Sequence, residues 1–516
     1  MRPLIWLAAV LLPAGADAGI ADPVRLDSGL VAGDETTVAG VRVFRGLPFA
    51  APPVGENRWR APEPVEPWEG VRDASEFGNA CIQAETAYTN IANMEGSPPL
   101  SEDCLYLNVW TPAQSQADGL PVLVFFYGGG FTDGGGAPPL YDGTALAERG
   151  AVVVTMNYRL GTFGFFAHPA LSADSGHNSS GNYGIMDMLA SLEWVQRNVA
   201  AFGGDPGNVT IFGQSAGAMA ITALMTSPPA EGLFRRAIAE SIMGGGAVPG
   251  MGSLARLEQQ GLRAAAAAGA NTPEELRALS AGQVAALSFR PSMIVDNRII
   301  PEDPALVFAD GRQHAVDVLL GANASEMSFA VPGGRGGGRA GDAGPRGADG
   351  EAAAAAPQPR PSLPGADGSD RIFHAAWRIA EYQREAGRDA YVYWFTQRSP
   401  AAEGADDFLP VHAAEVKYVF DNLGELPLFP DSSDRDLVAA SAPDQDLADL
   451  MASYWVNFAR TGNPNGLGLP AWPAHRGIDS VNAAVLDADP DPATLPTIGQ
   501  MREQEASLRR ALEAAR

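Results

Sequence analysis

Ser215 stands at the centre of Gly213-Gln-Ser-Ala-Gly217, after the β-branched run Val209-Thr-Ile-Phe212 and before a helix-forming stretch. A serine hydroxyl is a poor nucleophile until an imidazole takes its proton, and a carboxylate must hold that imidazole in one tautomer. The pattern predicts a sharp strand-to-helix turn that lifts the hydroxyl above the end of a sheet. Flanking glycines suit such a turn, because side chains there would collide as strand and helix close on each other. In a chain with 59 glycines among 516 residues the five-residue pattern alone is weakly specific. Three further features, in chain order, give it weight.

Hydrolases built on such a turn carry an acid and then a histidine downstream of the serine. The strand-like run Val316–Leu320 ends in Gly321-Ala-Asn323-Ala-Ser-Glu326. Open sheets place their chemistry at the carboxyl ends of strands, so Glu326 is the expected acid; an exposed loop glutamate is the plain alternative. Of six histidines, His168 and His177 precede the serine, His314 precedes the acid, and His475 lies in a tail with Trp and Pro. His374 sits in a helix-like amphipathic run, whereas His412 lies in the loop Leu409-Pro-Val-His-Ala-Ala-Glu415 and is the preferred base. Glu415 is expected to fix that loop rather than serve as the acid. Charge developing on a carbonyl oxygen needs preorganised N–H donors. The run Phe125-Phe-Tyr-Gly-Gly-Gly130 offers Gly129 and Gly130, with Ala216 past the serine as the third donor. Gly134-Gly-Gly136 shows that glycine runs also occur here as loop, but no Lys-Ser/Thr follows the first run, so it is not a phosphate loop.

These residues need a scaffold, and apolar strand-like runs alternate with helix-like ones in the manner of a doubly wound sheet. Strands are expected at Val122–Tyr127, Val152–Asn157, Val209–Phe212, Ala237–Ser241, Val316–Leu320 and Ala390–Phe395. Helices are expected at Ile185–Ala200, Ala216–Thr226, Leu254–Ala268, Leu447–Arg460 and Met501–Arg516, after an antiparallel opening that runs to about residue 110. Pro332–Asp370 holds 11 Gly and 6 Pro and has few apolar side chains to bury, so it is expected to be a mobile insertion within one domain of residues 19–516. Residues 1–18 read as a signal peptide: Arg2, an apolar stretch to Leu12, and Ala16-Asp-Ala18 as the cleavage site. Export would suit a bridge between Cys81 and Cys104, the only two cysteines. No metal site is visible, and no cofactor is expected. A net charge of −26 disfavours nucleic acid and anionic membranes as partners.

Together with Phe44-Arg-Gly-Leu-Pro-Phe-Ala50, Ser101-Glu-Asp-Cys104-Leu-Tyr-Leu-Asn-Val109, Asn157-Tyr-Arg-Leu-Gly161, Gly181-Asn-Tyr-Gly184 and Phe202-Gly-Gly-Asp-Pro206, these motifs resemble the type-B carboxylesterase/lipase family. Bacterial p-nitrobenzyl esterases and, more distantly, cholinesterases belong to it, and the likeness runs from about Phe44 to Trp472. The resemblance implies an α/β-hydrolase fold, a large mixed, mostly parallel sheet flanked by helices on both faces. It implies Ser215 as nucleophile, Glu326 as acid, His412 as base, an oxyanion hole of Gly129, Gly130 and Ala216, and a Cys81–Cys104 disulfide. It also implies structural ion pairs of Arg45 with Glu102 and of Arg159 with Asp187.

The chain departs from the family at Met327, where glycine is usual, and at Gln214, where glutamate is common. The glycine-rich insertion replaces helices that wall the gorge in relatives. Residues 82–103 hold no tryptophan, which argues against a choline-ester specialist. The expectation is an exported serine carboxylesterase for short- to medium-chain, fairly apolar small-molecule esters, with activity fading below roughly pH 6.5 as the base protonates. Its rivals are a non-catalytic adhesion module of the same fold and an interfacial lipase. The sequence leaves the oligomeric state open.

Overall fold

The computed structural model describes residues 20, 22–83, 98–243, 249–326, 368–398, 410–424, 441–477 and 479–516. The signal-peptide residues, Met327 and all but the last three residues of the Pro332–Asp370 insertion lie outside these.

Ten strands form the main sheet: β1 (Asp34–Glu35), β2 (Arg42–Pro48), β3 (Tyr106–Thr111), β4 (Leu120–Phe126), β5 (Val152–Met156), β6 (Gly204–Gln214), β7 (Arg236–Glu240), β8 (Asp317–Asn323), β9 (Ala390–Phe395) and β10 (Ala484–Leu486). Their order across the sheet is β10-β9-β8-β7-β6-β4-β5-β3-β2-β1. Strands β4 to β10 are mutually parallel, and β3, β2 and β1 continue the sheet antiparallel. A parallel sheet buries both faces, which is why Val122, Leu123, Val124, Phe125 and Phe126 of β4 are all buried, with no polar alternation.

Helices flank the sheet: α1 (Tyr183–Asn198), α2 (Ala216–Leu224), α3 (Leu254–Ala268), α4 (Asp370–Glu385), α5 (Ala442–Thr461) and α6 (Ile498–Ala515). This is the α/β-hydrolase arrangement, and each strand and helix expected from the sequence is present with ends moved by a few residues. The start of β6 moves five residues, to Gly204, where a register irregularity before Val209 lets Gly204 pair with Leu120. That irregular start carries no hydrophobic pattern. α5 begins five residues before its apolar stripe because Ser441 and Asp444 form a reciprocal cap ahead of it.

Candidate active site

β6 runs straight into α2, and the single residue between them is Ser215, held at φ 55°, ψ −117°. A non-glycine residue there is strained by about 1–3 kcal/mol and persists only where its surroundings enforce it. The surroundings are visible. A side chain at Gly217 would run into the Phe126 carbonyl of the neighbouring strand, and one at Gly213 would crowd the same oxygen. A side chain at Gly128 would come within 3.0 Å of the Ser215 Cβ, so the glycine run lies directly against Ser215. Gly129 and Gly130 continue it at φ 101° and 61°. Ala216 is the first residue of α2, so its N–H has no partner within the helix, and the helix dipole adds positive potential at the same point.

The run is braced from behind. Tyr127 and Tyr158 stack at 4.3 Å, the Tyr158 hydroxyl donates to the Tyr127 carbonyl at 3.0 Å, and Gly161 N donates to Phe131 O at 2.7 Å. Thus the turn after β5 fixes the loop after β4.

Glu326 and His412 meet. Nδ1 of His412 lies 2.5 Å from Glu326 Oε2, and both side chains are buried. Glu326 is itself fixed by Asn323 N, which donates to Oε1 at 2.7 Å, while Ser369 Oγ accepts from its backbone N–H at 2.6 Å. Burial pulls the His412 pKa down, but the charge and hydrogen bond of Glu326 and the charge of Glu415 outweigh it, so the pKa ends above its ordinary value. With Nδ1–H given to the carboxylate, Nε2 is the accepting nitrogen. Gln214 Nε2 lies 3.1 Å from it and 3.5 Å from Nδ1, so the amide packs over the face of the imidazole. This is what the sequence missed: Gln214 stood out only as a departure, and its contact with the imidazole needs the fold.

The other candidates fall elsewhere. His374 lies 3.6 Å from Glu505 on α6, His475 is bonded to Glu381 at 3.0 Å, and His314 faces the Ser227 carbonyl. Glu415 is more than a loop anchor: it is buried and receives Ser241 Oγ at 3.1 Å and Asn323 Nδ2 at 2.5 Å. The bridge Cys81–Cys104 is formed. Arg159 and Asp187 pair as expected, through Nε and Nη2 and through the Arg159 backbone N–H. The expected pair of Arg45 with Glu102 is corrected. Glu102 pairs with Arg58, at 2.7 Å and 2.5 Å, because Arg58 is itself buried and oriented by the carbonyls of Arg277 and Leu279. Arg45 turns instead to Ser75 O at 3.1 Å and to Asp34 at 3.7 Å. Among the described residues no group of three or more His, Cys, Asp or Glu could hold a metal ion.

The sequence profile of the carboxylesterase family matches residues 21–337 and 369–507. The chain belongs to that family. It is 37% identical over 504 residues to the fumonisin B1 esterase of Sphingopyxis macrogoltabida, covering 90% of this chain and 87% of that one. It is 35% identical to the para-nitrobenzyl esterase of Bacillus subtilis (strain 168), covering 88% and 93%. Among solved structures, a PNB esterase superposes with a TM-score of 0.74 at 30% identity, over 93% of this chain and 98% of that one. A Geobacillus stearothermophilus carboxylesterase gives 0.72 at 31% identity, over 93% and 99%. The protein is a carboxylic ester hydrolase. The profile match pauses at residues 338–368, within the glycine-rich insertion.

Proposed function

We propose that the chain is a serine carboxylesterase that hydrolyses short- to medium-chain, fairly apolar esters through an acyl-enzyme on Ser215. The observation that carries the reading is the 2.5 Å contact of His412 Nδ1 with Glu326, on the same sheet edge as the strained Ser215. Ser215 Oγ attacks the ester carbonyl carbon while its proton passes to His412 Nε2, and Glu326 stabilises the imidazolium. The oxyanion takes N–H donors from Gly129, Gly130 and Ala216. As the carbon–oxygen bond to the alcohol breaks, Nε2 returns the proton to the leaving oxygen. Water then attacks the acyl-serine with His412 again as base, and the carboxylic acid departs.

The filled triad positions favour an enzyme over an adhesion module. The protein is read as exported, which the N-terminal composition and the formed disulfide support; among the described residues no helix is long and apolar enough to cross a membrane. Ser215→Ala is expected to abolish hydrolysis of p-nitrophenyl butyrate, and an organophosphate to add mass to the peptide spanning Gly213–Gly217. Label on another serine, or most activity surviving the substitution, overturns the assignment. A profile across p-nitrophenyl acyl lengths, with fumonisin B1 and a choline ester alongside, resolves the substrate range.

A further inference from the structure

Two carboxylates with no part in that mechanism lie beneath it. Glu240 ends β7, Glu415 follows His412 by three residues, and both are fully buried. Glu240 accepts one hydrogen bond, from Trp455 Nε1 at 2.8 Å, and its Oε2 has no partner among the described residues. Glu415 accepts two, from Ser241 and Asn323. Strand register explains the enclosure. Glu240 pairs with Gly321 and Gly321 with Tyr393, and a side chain at Gly321 would run into the Tyr393 ring. The phenol therefore lies across Gly321 toward β7, with the Trp455 ring 5.6 Å away, and its buried hydroxyl is also without a partner among the described residues.

We propose that Glu240 and Glu415 carry a single proton between them at neutral pH, resting on Glu240, so that one negative charge and not two stands behind His412. Two carboxylates enclosed without a cation repel each other and lose solvation, and protonating one removes both costs. The proton rests where the charge is least supported, and Glu240 has one donor against two for Glu415. Burial first, then the charge of Glu415, pushes Glu240 up to about 8. Burial and the charge of Glu326 push Glu415 up as well, and the two titrate as a pair.

The groups facing the pair are Glu326, His412, Tyr393 and Tyr141. Burial raises both tyrosine hydroxyls well above their ordinary value, so neither supplies a charge. His412 is the one facing group that becomes cationic during turnover. Asn323 joins the two levels, giving its N–H to Glu326 and its side-chain amide to Glu415. Glu240 and Glu415 are thus positioning residues. Their link to His412 rests on His412 being the base; the shared proton does not.

The test uses purified full-length enzyme, with near-UV circular dichroism to verify folding of each variant. Infrared difference spectra at pH 7 are expected to show the carbonyl stretch of a buried protonated carboxyl, lost in Glu240→Gln. That variant imitates protonated Glu240, so the acid limb of its kcat/KM profile is expected to match the wild type. The double variant Glu240→Gln/Glu415→Gln removes the remaining charge, and its acid limb is expected to fall by roughly half a unit to one unit. Absence of the band, or its persistence in Glu240→Gln, overturns the shared proton. A fall of the acid limb in Glu240→Gln alone overturns it too, because Glu240 was then ionised. An unmoved limb in the double variant overturns the link to His412. Ser215→Ala is scored separately by turnover, so failure of the esterase mechanism is not mistaken for failure of the pair.

Discussion

At the scale of single residues, the proposed triad was legible as a candidate because each member has a positional signature: a serine between glycines, a glutamate just past a strand, a histidine in a late loop. What stayed hidden were residues whose meaning depends on neighbours from other strands. Glu240 is a charged residue directly after the apolar run Ala237-Ile-Ala239, which is a signal for a buried role, yet nothing in the sequence pairs it with Glu415. Gln214 is the sharper case, since its amide packs against the His412 ring, 3.1 Å from Nε2 and 3.5 Å from Nδ1. Two predictions belong here. His412 has a raised pKa, and as the proposed base it would work only when neutral, so activity is expected to be lost as pH falls through a value above 6.5. The sequence alone placed that loss at about 6.5; the excess comes from Glu326 and Glu415. A kcat/KM profile whose acid limb lies at or below 6.5 contradicts this. Gln214→Glu would set a carboxylate beside the imidazole and favour its charged form. Its acid limb is expected to move up by about one unit, and an unmoved limb would mean that this side chain does not face His412 in solution.

Elements were legible wherever hydrophobic period and caps agreed. Leu254–Ala268 was placed without error because Ser253 caps its start and Gly269 ends it in the left-handed conformation. The irregular start of β6 was not legible, because register slips leave no pattern. Nor was the partner of Glu102, because Arg45 and Arg58 look alike in sequence and differ only in what surrounds them. The pair that was anticipated, Arg159 with Asp187, ties the turn after β5 to α1, and the same turn backs Gly129 and Gly130, the proposed oxyanion donors, through the Tyr127–Tyr158 stack. Both partners are buried, so removing one strands a charge, at a cost of about 3–5 kcal/mol. Asp187→Ala is therefore expected to lose that much stability in denaturant unfolding. Surface-pair substitution at Arg312 and Glu302, both half exposed, should change it by less than about 1 kcal/mol. Equal effects at the two sites would refute the contrast.

For the whole molecule, composition set the class and motif order set the fold, but the covalent frame had to be seen closed. Cys81 and Cys104 fasten a loop of 22 intervening residues. Gln83, two residues beyond the first cysteine, donates to the Gly134 carbonyl and accepts from its N–H, both at 2.9 Å. Asn157 extends the tie, giving its side-chain N–H to the Asn79 carbonyl and accepting from Gly136 N at 2.8 Å. The bridge therefore anchors the segment that follows Gly129 and Gly130 as well as limiting the unfolded chain. In the chain-entropy account, closing such a loop stabilises by about 3 kcal/mol. Cys81→Ser/Cys104→Ser is expected to lose about that much in denaturant unfolding, with the folded fraction at 25 °C keeping its nucleophile. Titrating active Ser215 with an organophosphate separates the two effects. A stoichiometry near one site per folded chain, together with a reduced kcat, would mean that the bridge also holds the oxyanion donors in place. Unchanged stability would mean that the loop is held by Gln83 and Asn157 alone.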